Sequence, residues 1–554
     1  MQPSPNANDP HAPRKRIALL IAPGAEPGVD AAQRRTLAAV EQLFPVHFEA
    51  SPTTAGADGA LLVGALAHDD AAGVPSLRLP GADSGAAVPE SPGTPGPADV
   101  SFPAVDGVPR PLQGRSVEER EDPPGPSPQQ GDEPLAVRAG RVVWWRVAAC
   151  REQLASAYPL ASLAESRPLR DQLRAGRLMG LLPLLALVRR VLADELDPPP
   201  LRASFVFDDP NLHRPTYGYV RFSQLADHAA RHGYHVAFAT VPIDGWLADR
   251  ATSALFASRR ADISLVMHGN DHVARELDRA RTESDAQTTI AQAMRRIDAL
   301  ERRSGVPVDR VMTPPHGACS REALHAMFRL GVEAVSVAPA YPWNESRASA
   351  EIAAEWHPTE LVAGGIPVLP RFHMHGPREE LALRALLGQP LIVYGHHEDL
   401  ADGPDVLDAI AEDLDAMGET SWMPLAEMAR HSHVVRRLGD TLVVFMHSRR
   451  ASVQVPAGVE RVRVLVPEPD GGSELDRVAC GGESASLRFA SGWGRAPAME
   501  ASGGRTIEIT THAADALDPR RVPAPRPRLW PLIRRAATEG RDRLAPQVRA
   551  LARR

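Results

Sequence analysis

Two adjacent carboxylates, Asp208 and Asp209, close the apolar run Phe205-Val206-Phe207 and are followed at once by Pro210 and Asn211. Successive side chains of a strand point to opposite faces, so the two acids face different ways and can do different work: one can hold a cation while the other takes a proton. The plain alternative is a turn, since Asp, Pro and Asn are common turn formers. A second grouping, His268-Gly269-Asn270-Asp271-His272, follows the apolar run Ile263 to Met267. Histidines four apart lie one turn apart if the segment is helical, which lets both imidazoles reach the same ion. In a chain with 20 histidines such a pair alone is more often solvated or packed. Two histidines and one aspartate, however, give three protein ligands and leave a fourth position for water, the pattern of a catalytic divalent site. Two further polar runs also follow apolar ones: Thr313-Pro314-Pro315-His316-Gly317 after Arg310 to Met312, and Gly395-His396-His397-Glu398-Asp399 after Leu391 to Tyr394.

The elements that must position these groups alternate. Strands are expected at Ala203 to Phe207, His235 to Ala239, Ile263 to Met267, Arg310 to Met312, Ala334 to Val337 and Leu391 to Tyr394. Helices are expected between them, most clearly at Phe222 to His232, Ala286 to Arg303 and Arg321 to Leu330. Such alternation implies a parallel sheet, and six or more units over residues 201–433 suggest an incomplete (β/α) barrel. In that architecture chemistry sits at the C-terminal ends of the strands, where all four polar runs fall.

With four motifs in this order, residues 201–433 resemble the polysaccharide deacetylase family, the NodB-homology domain of carbohydrate esterase family 4. Carried over by position, the resemblance implies Asp208 as general base, Asp209, His268 and His272 as ligands of a divalent cation, and His396 as general acid, with His397 its rival. It further implies that Asn211, Pro315, His316, Gly317, Arg371 and His397 line the substrate. The cation would be zinc, or cobalt or manganese, and the reaction removal of an N-acetyl group from a sugar or glycan in bacterial polysaccharide metabolism. The chain departs from the family pattern in several places. Pro210-Asn211 follow the acids where glycine is usual, and Gly269 stands where Ser or Thr is common. Thr313 replaces the arginine that opens the third motif, and His316 replaces an aromatic residue. Arg371, in Ile366 to Phe372, could supply the missing charge from another strand. Two alternatives stay open: a non-catalytic glycan-binding or scaffold protein on the same fold, and a metallohydrolase acting on another amide or ester.

The 554 residues exceed one ordinary core. Residues 1–14 read as disordered and 15–87 as a small α/β unit. Residues 88–135, rich in proline, read as a linker or long loop, and 136–200 as a return strand and a helical connector. In the α/β unit Gly24 and Gly28 lack a full dinucleotide fingerprint, so no nucleotide site is expected there. After the barrel, residues 439–511 show short strands with Gly-rich turns, read as a small β-sandwich, with Trp493 a candidate for stacking on sugar. Residues 520–554 carry eleven arginines against Glu539 and Asp542, with Leu529, Ile533, Leu544, Val548 and Leu551 near one helical face. That is a basic amphipathic tail suited to peripheral membrane contact or to docking on a partner.

Lys15 is the only lysine, so arginine carries nearly all positive charge, and the net charge of −7 gives no case for nucleic-acid binding. Three widely spaced cysteines form neither a thiolate metal site nor a disulfide framework, which points to a reducing, cytoplasmic setting. Ile17 to Ala22, after Arg14-Lys15-Arg16, is at the short end for a signal peptide and reads as a buried strand. The oligomeric state is not legible.

Overall fold

Seven parallel strands form the centre of the chain, and each continues an apolar run of the sequence. We label them β1 (Leu201–Asp208), β2 (Val236–Thr240), β3 (Ile263–Met267), β4 (Asp309–Met312), β5 (Ala334–Val337), β6 (Ile366–His373) and β7 (Leu391–Gly395). They are hydrogen-bonded in sequence order, and β1 pairs with both β7 and β2, which closes the sheet into a barrel. This is one strand short of the eight of the common (β/α) barrel. In this computed structural model the described residues are 14–22, 29–64, 73–80, 97–338, 356–469 and 475–552, except positions 166, 168, 170, 171, 174, 175, 198, 199, 274, 281, 491, 502 and 527. The Gly24 and Gly28 turn and nearly all of the polar start of the chain lie outside them.

The barrel interior follows from the period of two along each strand. Val206, Ala239, Val266, Val311, Leu369 and Ile392 are fully buried in one core cluster, which the helix Leu425–Arg430 joins through Leu425 and Met428. Phe205 and Phe207 alternate outward, where Phe205 stacks on Trp422 and Phe207 packs against Phe238. Burial of such a ring contributes roughly 1.5–3 kcal/mol. Two residues beyond the core positions the same inward face turns polar: Asp208, His268, Thr313, Arg371 and Tyr394 sit on Val206, Val266, Val311, Leu369 and Ile392. The apolar layer is a floor and the polar layer above it is the site.

β6 was not among the strands expected from the alternating pattern. Pro367 and Pro370 lie inside it, and each removes one donor from the ladder, which normally argues against a sheet interior. It nevertheless pairs with β5 and β7 and delivers Arg371.

The chain divides into two compact units, residues 1–197 with 344–357 and 436–438, and residues 198–343 with 358–435 and 439–554. The first holds a nine-stranded mixed sheet. Its parallel part comprises Val46–Ala50, Lys15–Ile21, Gly59–Val63, Ser76–Leu79 and Gln153–Ser156, and antiparallel strands continue it. This corrects the linker reading of residues 88–135: Ala98–Ser101, Ser116–Glu119 and Glu133–Arg138 are strands of that sheet. Pro103, Pro109, Pro111, Pro123, Pro124, Pro126 and Pro128 fall between these strands, and residues 88–96 of the expected linker lie outside the described residues. The connector helix is shorter than its periodicity suggested, covering Leu182–Val191 and buried on nearly every side.

In the second unit, strands after Gly439 divide between two sheets. One includes the parallel pair Thr441–Met446 and Arg461–Pro467, a departure from the all-antiparallel pairing of an immunoglobulin-type sandwich. Trp493 is 7% exposed and packs edge-on against Phe445, so it is a core residue rather than a sugar platform. Among the described residues no helix is long and apolar enough to cross a membrane.

Candidate active site

Asp208 ends β1 facing the barrel interior, and Arg371 reaches it from β6 with two parallel hydrogen bonds of 2.8 and 2.9 Å. Both side chains are almost fully buried. The guanidinium lies 4.4 Å from the centroid of the Tyr394 ring, which fixes its plane. Burial pushes the Asp208 carboxyl up, but the charges of Arg371, His268 and His396 outweigh it and hold Asp208 below the usual carboxylate range. Asp208 thus takes its counter-charge from β6, while Thr313, just after β4, bonds to His268 instead.

Asp209 turns away from Asp208 because its backbone is left-handed, with φ of 81°, a region that Asp tolerates better than most residues. His272 and His316, in the facing loops, share this conformation at 53° and 59°. Such φ values cluster where the surrounding structure holds a loop against its own preference.

Asp209, His268 and His272 come together with one ligand atom from each, all within 4.8 Å of one another. His272 Nε2 is 3.5 Å from Asp209 Oδ1, and the two imidazole centroids are 4.9 Å apart. His268 Nδ1 lies 2.8 Å from the Thr313 carbonyl oxygen and 3.0 Å from its hydroxyl. A carbonyl only accepts, so Nδ1 carries the proton and Nε2 keeps its lone pair, the tautomer a metal ligand needs. Burial keeps His268 below its ordinary value and brings His272 down to about 4, the neighbouring His268 adding to the shift. Burial pushes Asp209 up, yet His268, His272 and Arg535 together hold it well below the carboxylate range. Two neutral imidazoles and one carboxylate thus fit a divalent cation.

The histidine pair does not lie on a helix. Residues 268–272 form a loop, and a carboxylate that no motif pointed to holds it: Glu276 accepts the backbone N–H groups of Asn270, Asp271 and His272 at 2.6, 3.0 and 3.0 Å. Burial pushes Glu276 up against the pull of those donors. The helix Glu283–Ser304 completes the clamp, with Gln292 accepting from the Asn270 side-chain amide and Arg296 bound to Asn270 and Asp271.

The remaining expected residues separate. His396 borders a cavity of about 310 Å³ together with Asp209 and His397. His397 is buried under Tyr219, its ring stacked at 5.9 Å, and Gly218 packs so closely that a Cβ there would sit 2.4 Å from His397 Nδ1. His316 is exposed with its ring 5.6 Å from that of His272, while Pro315 and Gly317 are buried beside it. Asn211 is buried and accepts from Arg543 at 3.1 Å.

Arg543 belongs to the C-terminal helix, Leu529–Ala552, and its presence at the site was not anticipated. Arg535 of the same helix binds Asp209 Oδ1 at 2.9 Å and Asp244 at 2.7 Å. Glu539 pairs with His213 at 2.9 Å, and Asp542 accepts from the Tyr217 hydroxyl at 2.7 Å. Among eleven arginines in a composition where arginine replaces lysine, nothing local distinguished Arg535.

No family model matches the chain, and no curated protein does. Among solved structures it is similar to a polysaccharide deacetylase from Mycobacterium smegmatis, at 16% identity and a TM-score of 0.31, over 43% of this chain and 91% of that one. It is also similar to the Xyl-CE4 domain of a multidomain xylanase from the hindgut metagenome of Trinervitermes trinervoides, at 12% identity and a TM-score of 0.26, over 41% and 89%. A third is a family 4 acetyl xylan esterase from Clostridium thermocellum in complex with a cobalt ion, at 12% identity and a TM-score of 0.25, over 41% and 89%.

Proposed function

We propose that the chain is a metal-dependent hydrolase that removes N-acetyl groups from a sugar or glycan in bacterial polysaccharide metabolism. The observation that carries this reading is the convergence of Asp209, His268 and His272 beside an Asp208 clamped by Arg371. Those three ligands would hold a divalent cation, zinc first and cobalt or manganese next, and its chemistry would be to polarise an acyl oxygen and acidify a bound water. Asp208, kept ionised beside the ligand set, would serve as the general base for an attacking water. Arg371 fixes the direction of the carboxylate lone pairs, at some cost in basicity. His396 borders the cavity next to Asp209 and delivers a proton to the departing amine. His397 suits this role less, because it is buried and walled in by Tyr219 and Gly218. Cys319 and Cys480 are buried and unpaired, which is compatible with a cytoplasmic, reducing setting.

The test is zinc uptake by equilibrium dialysis together with acetate release from N-acetylated oligosaccharides. One ion per chain, lost in Asp209→Ala and His268→Ala, is expected. Absence of uptake, or uptake unchanged by both substitutions, would overturn the reading. A second reading, a glycan-binding or scaffold protein without turnover, is favoured by Arg535 itself, a fixed cation already seated on Asp209. Uptake of metal without release of acetate from any substrate would support it.

A further inference from the structure

The C-terminal helix lies across the mouth of the barrel with its polarity reversed. Amphipathic helices normally bury an apolar stripe and show charge to water. Here the stripe turned to the barrel is the buried Arg535 and Asp542 with the half-buried Glu539, continued by the half-buried Pro546 and Arg549 at the same heptad spacing. Arg535 and Asp542 are each only 3% exposed. The contacts run the length of the helix: Arg534 donates to the His272 carbonyl, and Arg535 to Asp209 and Asp244. Glu539 binds His213 and Asp542 binds Tyr217. Arg549 holds Asp402 at 2.9 Å. The opposite face presents Leu529, Trp530, Ile533, Leu544, Val548 and Leu551 to solvent at 54–76% exposure. These residues make up most of the large exposed apolar side chains among the described residues.

Both halves of this arrangement are costly in water. Charges moved into a protein interior lose hydration that ion pairing barely repays, and a contiguous apolar stripe facing solvent marks an interaction surface. An interface that takes up apolar side chains while leaving a charged face wet reverses both costs. Arg526 and Arg528, both exposed just ahead of the stripe, give that interface a sign, since they complement an anionic surface. Aromatic and aliphatic side chains on one face with arginines at its borders suit the headgroup region of a bilayer.

We propose that this helix is a cover for the barrel mouth, held closed by its polar face and released when its apolar face docks on an anionic lipid bilayer. In the closed state Asp542 lies over His397 and Arg535 over Asp209, so the helix occupies part of the approach to the ligand set. Release requires that the bilayer bind the freed helix more tightly than the docked one, by more than the closed contacts are worth. The inference stands on these contacts and on exposure, whichever chemistry the site performs.

The full chain is mixed with vesicles of phosphatidylcholine alone or with phosphatidylglycerol. Binding is read by co-sedimentation, and opening by diethylpyrocarbonate labelling of His397, quantified on its peptide. Expected is binding to anionic vesicles with at least a fivefold rise in His397 labelling, little effect of neutral vesicles, and loss of both responses in Ile533→Glu/Leu544→Glu/Val548→Glu. Those exposed positions leave the closed contacts intact, so basal labelling stays low. Arg535→Gln/Asp542→Asn should raise labelling without vesicles. Failure to bind anionic vesicles overturns the proposal, as does binding without increased labelling. Self-association that the triple substitution abolishes, with no vesicle binding, would instead make a second copy the occupant. An opened protein that still releases no acetate would count against the deacetylase reading and leave the cover standing.

Discussion

Arg371 and Asp208 meet through two nearly equal hydrogen bonds, 2.8 and 2.9 Å, although they stand 163 positions apart in the chain. The pair is the fixed point of the site, because both side chains are buried and each is the other's counter-charge. Removing one partner strands the other charge in a medium that cannot hydrate it, which typically costs about 3–5 kcal/mol. Arg371→Ala is therefore expected to lower unfolding stability by about that amount in urea titration. Arg371→Ala/Asp208→Asn should recover part of the loss. An Arg371→Ala variant as stable as the wild type would show that the pair is not formed in solution.

Asp208→Asn alone tests the base. Acid–base catalysis by a positioned group contributes about 10²- to 10⁴-fold. A loss of that size in kcat for acetate release, with zinc uptake preserved, is the expected result. Full retention of kcat would remove Asp208 from the role.

Glu276 holds the histidine loop through three backbone N–H groups. Glu276→Gln replaces a charged acceptor with a neutral one and lets His272 drift from its left-handed backbone. Loss of partners that orient ligands commonly costs about 10- to 100-fold in metal affinity. Competition against a chromophoric chelator should show a weakening of that order, with the fold retained by circular dichroism.

The pair between His213 and Glu539 ties the cover to pH. Burial pushes Glu539 up, but hydrogen bonds from His213 and Arg543 bring it down to about 2. Burial pulls His213 down, but Glu539 and the Asp244 carbonyl raise it above its ordinary 6.5. A lowered carboxyl adds stability that is present above its ordinary 4.5 and lost as the pH falls toward 2. A raised histidine adds stability that is present below 6.5 and lost as the pH rises through its higher folded value. Docking of the helix should therefore be tightest between about 4.5 and 6.5. Hydrogen exchange over residues 529–552, corrected for the intrinsic rate at each pH, should pass through a minimum in that window. His213→Gln should flatten the alkaline side.

Gly218 has φ of 53° and no room for a Cβ against His397. Gly218→Ala combines an unfavourable backbone with a clash, and about 1–3 kcal/mol of destabilisation is expected from the backbone alone. A thermal melt that does not shift would contradict the packing of His397.

Much of the barrel was legible in the sequence. An apolar strand followed by a polar tip repeats, and period-two alternation puts Asp208 on the same face as Val206 and opposite to Phe207, although only the closed barrel shows which face is inward. Hydrophobic patterning is a local signal, so Phe222–His232 and Ile263–Met267 fall where the pattern put them. Proline is ambiguous, because it marks both loops and strands that can spare a donor. That ambiguity hid β6, and it disguised three strands of the N-terminal sheet as a linker.

What only the tertiary structure decided is which distant charges meet. The clamp of Asp208 by Arg371 and the cover of Asp209 by Arg535 each join a carboxylate to a guanidinium on a separate element. Arg371 could be named from the sequence as a candidate, but Arg535 carries no signature in a chain where arginine does nearly all cationic work. The tail illustrates the limit best. Its amphipathic period determined that it would be a helix with one apolar face, and the natural inference was that this face would be the one to dock. The folded chain buries the charged face instead, because the barrel mouth offers Asp209, Asp244, His213 and Tyr217 as partners, and pairing is a property of the surface met, not of the helix that meets it.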